Sequence, residues 1–133
     1  MTRRALVLAL LAFVFAAACG DSTAPKENIT GAYPLRTVNG ASLPYVETVG
    51  TTRFELLSET ITLLDDGTFT VAGSVRFTEG TLTETENFSE RGTFTRTGSA
   101  ITFIVPEQSS ISGTLANDAI TFSSEGLTYV FRK

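Results

Sequence analysis

GTFTRTGSAITF, residues 92–103, decides how the rest of the chain is read. Apolar and threonine positions alternate on both sides of Gly98-Ser99, and period two around a glycine-led turn marks a β-hairpin rather than a helix. The pattern returns at 113–122 as GTLANDAITF, where Asn117-Asp118 supplies the turn with residues that tolerate positive φ or bond their own backbone. An earlier copy begins at Asp65-Asp66-Gly67, leading into GTFT at 67–70. Three similar hairpins in succession predict an antiparallel up-and-down meander.

Outward from these hairpins the same alternation continues. Ile61 and Leu63, Phe69 and Val71, Val75 and Phe77, Phe94, Ile101 with Phe103 and Val105, Ile111 and Leu115, Ile120 and Phe122, and Tyr129 and Phe131 fall on one face. Threonines fill many of the alternate places, as expected of a sheet with one buried and one wet face. Residues 53–59, RFELLSE, would pass for a short helix if scored alone. The period of two that runs on through Ile61 and Leu63 favours a strand. Tyr45, Val46 and Val49 read as a loop with apolar content, packed on the rim. About eight strands, each paired with the next, are expected to close into a small barrel, which removes the exposed edges of an open sheet.

The N-terminal segment has a different grammar. Arg3 and Arg4 precede an apolar run over residues 5–18, which ends in three alanines against Cys19, the chain's one cysteine. That is the layout of a bacterial lipoprotein signal peptide. A membrane-spanning helix needs roughly 20 apolar residues, more than this run provides. Cleavage before Cys19 and acylation of its thiol would tether the mature chain, each buried methylene contributing about 0.8 kcal/mol. The expected organisation is a signal helix over 1–18, a lipidated Cys19 with a flexible, small-residue tether over 19–28, and a barrel domain over 29–133. The expected location is the bacterial cell envelope, held at a membrane by lipid. With its thiol acylated, the domain has no disulfide and depends on packing alone.

Short motifs in 29–133 resemble bacterial lipocalin-like lipoprotein domains: Gly31-Ala32-Tyr33, Val38-Asn39-Gly40, Leu43-Pro44, the repeated Asp-Gly-Thr-Phe type of hairpin, and a terminal Tyr129-Val130-Phe131-Arg132 strand. Lipocalins proper carry Gly-x-Trp on the first strand; Gly31 and Tyr33 occupy the matching places, and the chain has no tryptophan. The resemblance implies that Arg132 packs over Tyr33, as a late arginine packs over that tryptophan in the family. It also implies a non-catalytic module, either a carrier of small apolar molecules or an inhibitor.

An eight-stranded barrel can enclose one small ligand, and Phe69, Phe94, Phe103, Phe122 and Phe131 would give it an apolar lining. The same rings would equally fill a closed core, and at this length filling is common. Catalysis has less to draw on. The chain contains no histidine, which removes the commonest general base and transition-metal ligand. Asp65-Asp66 precedes a turn glycine and reads as turn chemistry. Glu79, Glu84, Glu86 and Glu90 form an acidic, threonine-rich stretch of a kind that can attract a cation or a basic partner, but without calcium-loop spacing it reads as a solvated hairpin face. The sequons at Asn28 and Asn87 read as chance matches in a bacterial chain. No cofactor motif is present. Loss of residues 1–18 leaves eight basic against fourteen acidic residues, a balance that argues against nucleic acid. The expected partners are therefore a membrane through the lipid, a small apolar ligand or an envelope protein, with the domain itself monomeric.

Overall fold

Ten strands joined mostly by tight turns make up the computed structural model, which describes residues 28–133. The signal segment, Cys19 and the linker up to residue 27 lie outside the described residues. The strands are β1 (Gly31–Val38), β2 (Ala41–Ser42), β3 (Tyr45–Val49), β4 (Thr52–Leu63), β5 (Thr68–Glu79), β6 (Leu82–Thr97), β7 (Ala100–Ile104), β8 (Ile111–Ala116), β9 (Ala119–Ser124) and β10 (Leu127–Arg132). Neighbours run in the order β2-β1-β10-β9-β8-β7-β6-β5-β4-β3, all antiparallel, and β1 also pairs with β4. That last pairing closes eight strands into a barrel. The 53–59 segment lies within β4, as strand.

Turn chemistry sets the hairpins. Asn117 and Asp118 both have positive φ (52° and 60°), the geometry whose twist matches that of the flanking strands. At the β4–β5 turn, the Asp66 carboxylate accepts hydrogen bonds from the backbone N–H of Thr68 (3.0 Å) and from its hydroxyl. These bonds hold the Asp66 carboxyl below its ordinary pKa. The aspartate is thus occupied by its turn.

Closure is partial, for a reason visible in β1. Its ladder with β4 runs from Gly31 opposite Leu63 to Pro34 opposite Thr60 and ends there. Proline has no N–H with which to extend it. β1 then bulges against β10 between Leu35 and Thr37, which shifts its buried positions from Tyr33 and Leu35 to Val38. Beyond this point β4 takes β3 as its neighbour instead, from Tyr45 opposite Leu56 to Val49 opposite Thr52. Residues 45–49, expected as a loop, are therefore a strand. Their alternation was too short and too exposed to stand out, since only Tyr45 is even half-buried.

β5 and β6 stay paired from Thr68 opposite Thr93 out to Glu79 opposite Leu82, whereas β7 joins β6 only over Thr93–Thr97. The outer parts of β3, β4, β5 and β6 consequently run on past the barrel as a four-stranded arm. One face of the arm carries Phe54, Leu56, Val75 and Phe77, with the Phe54 and Phe77 rings edge to face at 5.2 Å. Its other face carries Glu55 between Arg53 (3.3 Å) and Arg76 (3.4 Å).

The core holds Tyr33, Leu35, Val38, Ile61, Leu63, Phe69, Ile101, Phe103, Leu115, Ile120 and Phe131, and no polar residue among the described residues is fully buried. At the end where β1 begins, the Tyr33 hydroxyl donates to the Ile29 carbonyl at 2.6 Å. Lys133 lies over the Tyr33 ring with Nζ 5.5 Å from its centroid and donates to the Thr30 carbonyl. The expectation for Arg132 is corrected here: Arg132 is exposed, and the covering cation is the next residue. Phe131 at zero exposure fixes the parity, so its neighbour Arg132 must point outward and the lysine after it inward.

Candidate functional site

The barrel interior is not filled along its whole length. A cavity of about 140 Å³ opens at the end from which the arm extends, lined by inward positions of β4, β5, β6, β7, β8 and β9 and by the β7–β8 loop. Its apolar walls are Ile61, Phe69, Val71, Phe88, Phe103, Val105, Ile111 and Phe122, and its polar groups are Glu59, Glu90, Gln108 and Ser109. Two wider depressions are open grooves: one of about 430 Å³ runs from Leu64 and Asp66 past Arg91 to Pro106, and one of about 480 Å³ lies at the opposite end, bordered by Asn28, Leu64 and Asp65.

The aromatic rings are held in a connected series. Phe69 meets Phe103 edge to face at 4.9 Å, Phe103 meets Phe122 at 6.4 Å, and Phe122 stacks on Phe131 at 5.6 Å and on Tyr129 at 5.2 Å. Such pairs contribute about 1 kcal/mol each beyond the area they bury. Three of the cavity rings lie opposite a glycine: Phe69 faces Gly92, Phe88 faces Gly73 and Phe122 faces Gly113. At Gly73 the reason is spatial. A Cβ there would sit 2.5 Å from the Phe88 ring and 2.3 Å from the Ser58 carbonyl oxygen. The absent side chain lets the ring fold down over the sheet where β4, bulged between Leu56 and Ser58, bends toward the arm.

The electrostatics of the cavity come from its two carboxylates. Glu59 follows the β4 bulge on an inward-facing position, opposite Gly73. Among the described residues it has no hydrogen-bond or ion-pair partner, in contrast to Glu90, whose Oε1 accepts from Gln108 Nε2 at 3.2 Å. Burial, and secondarily the Glu90 charge, push the Glu59 carboxyl up to about 7. The Tyr129 phenol is also raised, by burial first and then by the charges of Glu59, Glu125, Tyr45 and Glu47. Among the described residues no lysine or arginine lines the cavity.

The five phenylalanines singled out in the sequence separate. Phe69, Phe103 and Phe122 line the cavity, Phe131 is sealed in the core behind Phe122, and Phe94 packs at the opposite end beside Ile29 and Leu64. Phe88 and Glu59 were passed over in the sequence reading, as were Gln108 and Ser109, whereas Glu90, read there with the acidic stretch as a solvated face, is exposed and borders the cavity. Glu59 shares the parity of the inward Ile61 and Leu63, but as a charged residue after the bulge it is out of step with Phe54 and Leu56, which masks its place on the inner face. Phe88 stood in a polar run, and its signal was the glycine across the ladder. Glu84 and Glu86 are exposed on the arm, as a solvated hairpin face requires. Among the described residues, no group of three or more acidic, histidine or cysteine side chains is arranged to hold a metal ion.

Comparison with protein-family models, with curated proteins and with solved structures finds no match. The class of protein established is therefore architectural: a small, closed, eight-stranded antiparallel β-barrel with a four-stranded arm.

Proposed function

We propose that this barrel is a non-catalytic, lipocalin-like binding module, tethered to a bacterial envelope membrane through acylated Cys19. The observation that carries the reading is the 140 Å³ aromatic cavity at one mouth of a barrel whose core buries Tyr33, Ile101, Ile120 and Phe131. Its volume is close to the roughly 150 Å³ of an engineered apolar cavity that takes up benzene. It accommodates one ring or a short branched alkyl group, with any remainder of the ligand emerging beside the arm. β1 begins at the opposite end, so a tether from Cys19 would hold the cavity away from the membrane surface.

Native mass spectrometry of the full protein, purified in mild detergent from its own host, tests the reading. A discrete extra mass that disappears on unfolding is expected. A bare acylated mass, with no uptake of benzene-sized probes, would overturn the binding role. Membrane attachment is tested separately, because Cys19→Ala is expected to move the protein from the detergent phase to the aqueous phase.

A second reading draws on the arm. Val46 and Val49 of β3 and Leu82 of β6 are 42–62% exposed on it, and among the described residues β6 pairs on its β7 side only over Thr93–Thr97. An unpaired strand edge with exposed apolar residues is the feature by which a protein partner adds a strand. Covalent capture of one envelope protein by a photocrosslinker at Leu82, lost on Leu82→Lys, would support an interaction module.

A further inference from the structure

We propose that the cavity selects a small organic cation, a primary or quaternary amine carrying one ring or a short alkyl group, with the apolar part among Phe69, Phe103 and Phe122 and the charge against Glu59 and Glu90. The inference rests on the binding role proposed above and adds the chemical class of ligand.

A cavity evolved only for packing or for a neutral hydrocarbon gains nothing from a largely buried carboxylate. Here one projects from β4 without a partner, while a second stands near it on β6. Burial of a carboxylate costs free energy unless a cation or hydrogen-bond donor meets it. Among the described residues no cationic side chain lines the space, so the barrel does not supply that cation itself. The walls complete the argument. Phe88 and Glu59 both lie opposite Gly73, one on each neighbouring strand, and the Phe88 ring reaches over that glycine into the cavity wall, an aromatic group of the kind that attracts ammonium groups within about 6 Å. Besides Glu59 and Glu90 the polar lining is only the Gln108 amide and the Ser109 hydroxyl, and among the described residues no third acidic, histidine or cysteine side chain joins them to hold a metal ion, while the other walls are aromatic or aliphatic. An organic cation uses both kinds of wall.

The reading carries a sign for pH. The titratable groups that bear on Glu59 are Glu90 of β6 and Tyr129 of β10. Tyr129 stays neutral through neutral pH, and Glu90 is the neighbour whose charge Glu59 must meet. Glu59 is mostly ionised at pH 8 and protonated at pH 5.5, so a cation should bind better at the higher pH and draw the Glu59 proton off as it binds.

The test is a titration of the full protein in detergent micelles, read by the methyl NMR signals of Ile61, Val71 and Ile111, using benzylamine and its neutral isostere benzyl alcohol. Benzylamine is expected to bind at least tenfold more tightly than benzyl alcohol at pH 8, with the ratio falling to about two at pH 5.5 and in Glu59→Gln. Glu90→Gln should lower the ratio by a smaller factor, and benzyl alcohol bound by the variants shows that each still folds. Equal binding of both probes, unmoved by Glu59→Gln, would overturn the choice of cation and leave the binding role standing. Absence of any shift at the three residues with either probe would overturn both, as would benzylamine shifts confined to the arm around Glu84 and Glu86.

Discussion

The closed barrel and the arm are built from the same sheet, yet they are stabilised differently. Strands β7 to β10 are five or six residues long, and each places at least one residue in the sealed core. Strands β4 and β5 are twelve residues long and β6 is sixteen, and β6 contributes no fully buried residue at all. In β4 and β5 the buried positions, Ile61, Leu63 and Phe69, all lie at the barrel end. Strand length and hydrogen bonding therefore do not track burial in this molecule. Where the sheet wraps on itself its apolar face is removed from water, and where it runs on alone that face remains half wet. The cavity sits at the junction, where Gly73 and the β4 bulge bend one region into the other.

Substitutions should separate the two regions by size of effect. Phe131→Ala, at zero exposure, is expected to cost about 3–5 kcal/mol in denaturant unfolding, whereas Phe77→Ala in the arm should cost about 1 kcal/mol. Equal losses would mean that the arm belongs to the cooperative core. At the junction, Glu59→Gln carries a sign that depends on pH. Its carboxyl rises from 4.5 to about 7 on folding, so the folded protein keeps a proton that the unfolded chain has released, and stability falls as pH rises through that window. At about 1.4 kcal/mol per pKa unit, the glutamine variant should be more stable than the parent by up to about 3 kcal/mol at pH 8. Thermal melts at pH 8 and at pH 4 check this, since the difference should vanish at pH 4. Gly73→Ala forces a Cβ against the Ser58 carbonyl and the Phe88 ring, and should lose about 1–3 kcal/mol. An unchanged stability there would show that the bend does not need glycine. The smallest effect belongs to the arm surface: Leu82→Ser, at 62% exposure, should stay within about 0.5 kcal/mol. Native-state hydrogen exchange offers a complementary measurement, with amides at 84–89 exchanging well ahead of those at 101–103.

Much of this contrast was legible in the chain. GTFTRTGSAITF, GTLANDAITF and DDGTFT locate three hairpins, and the alternating positions from Ile61 to Phe131 identify eight of the eleven core residues. Tyr33, Leu35 and Val38 are harder to read, because the β1 bulge breaks their parity. The site was less legible than the fold. Three of its aromatic residues were in view, but as members of a set of five that the sequence had no means of dividing. The cavity's carboxylate Glu59 was not in view, although it shares the parity of Ile61 and Leu63, because the bulge before it leaves Phe54 and Leu56 on the opposite parity and hides the continuity of the inner face.

What the sequence determined by itself is local: period-two alternation buries one face, and glycine, asparagine and aspartate at fixed offsets place the turns, since both depend on a few neighbouring residues. Closure through β1 and β4, its end at Pro34, the extension of the outer strands as an arm, and the meeting of Glu59, Glu90 and Phe88 around one cavity were decided by the tertiary structure alone. Each depends on ladder register between strands distant in the chain, and a single bulge changes which side chains point inward.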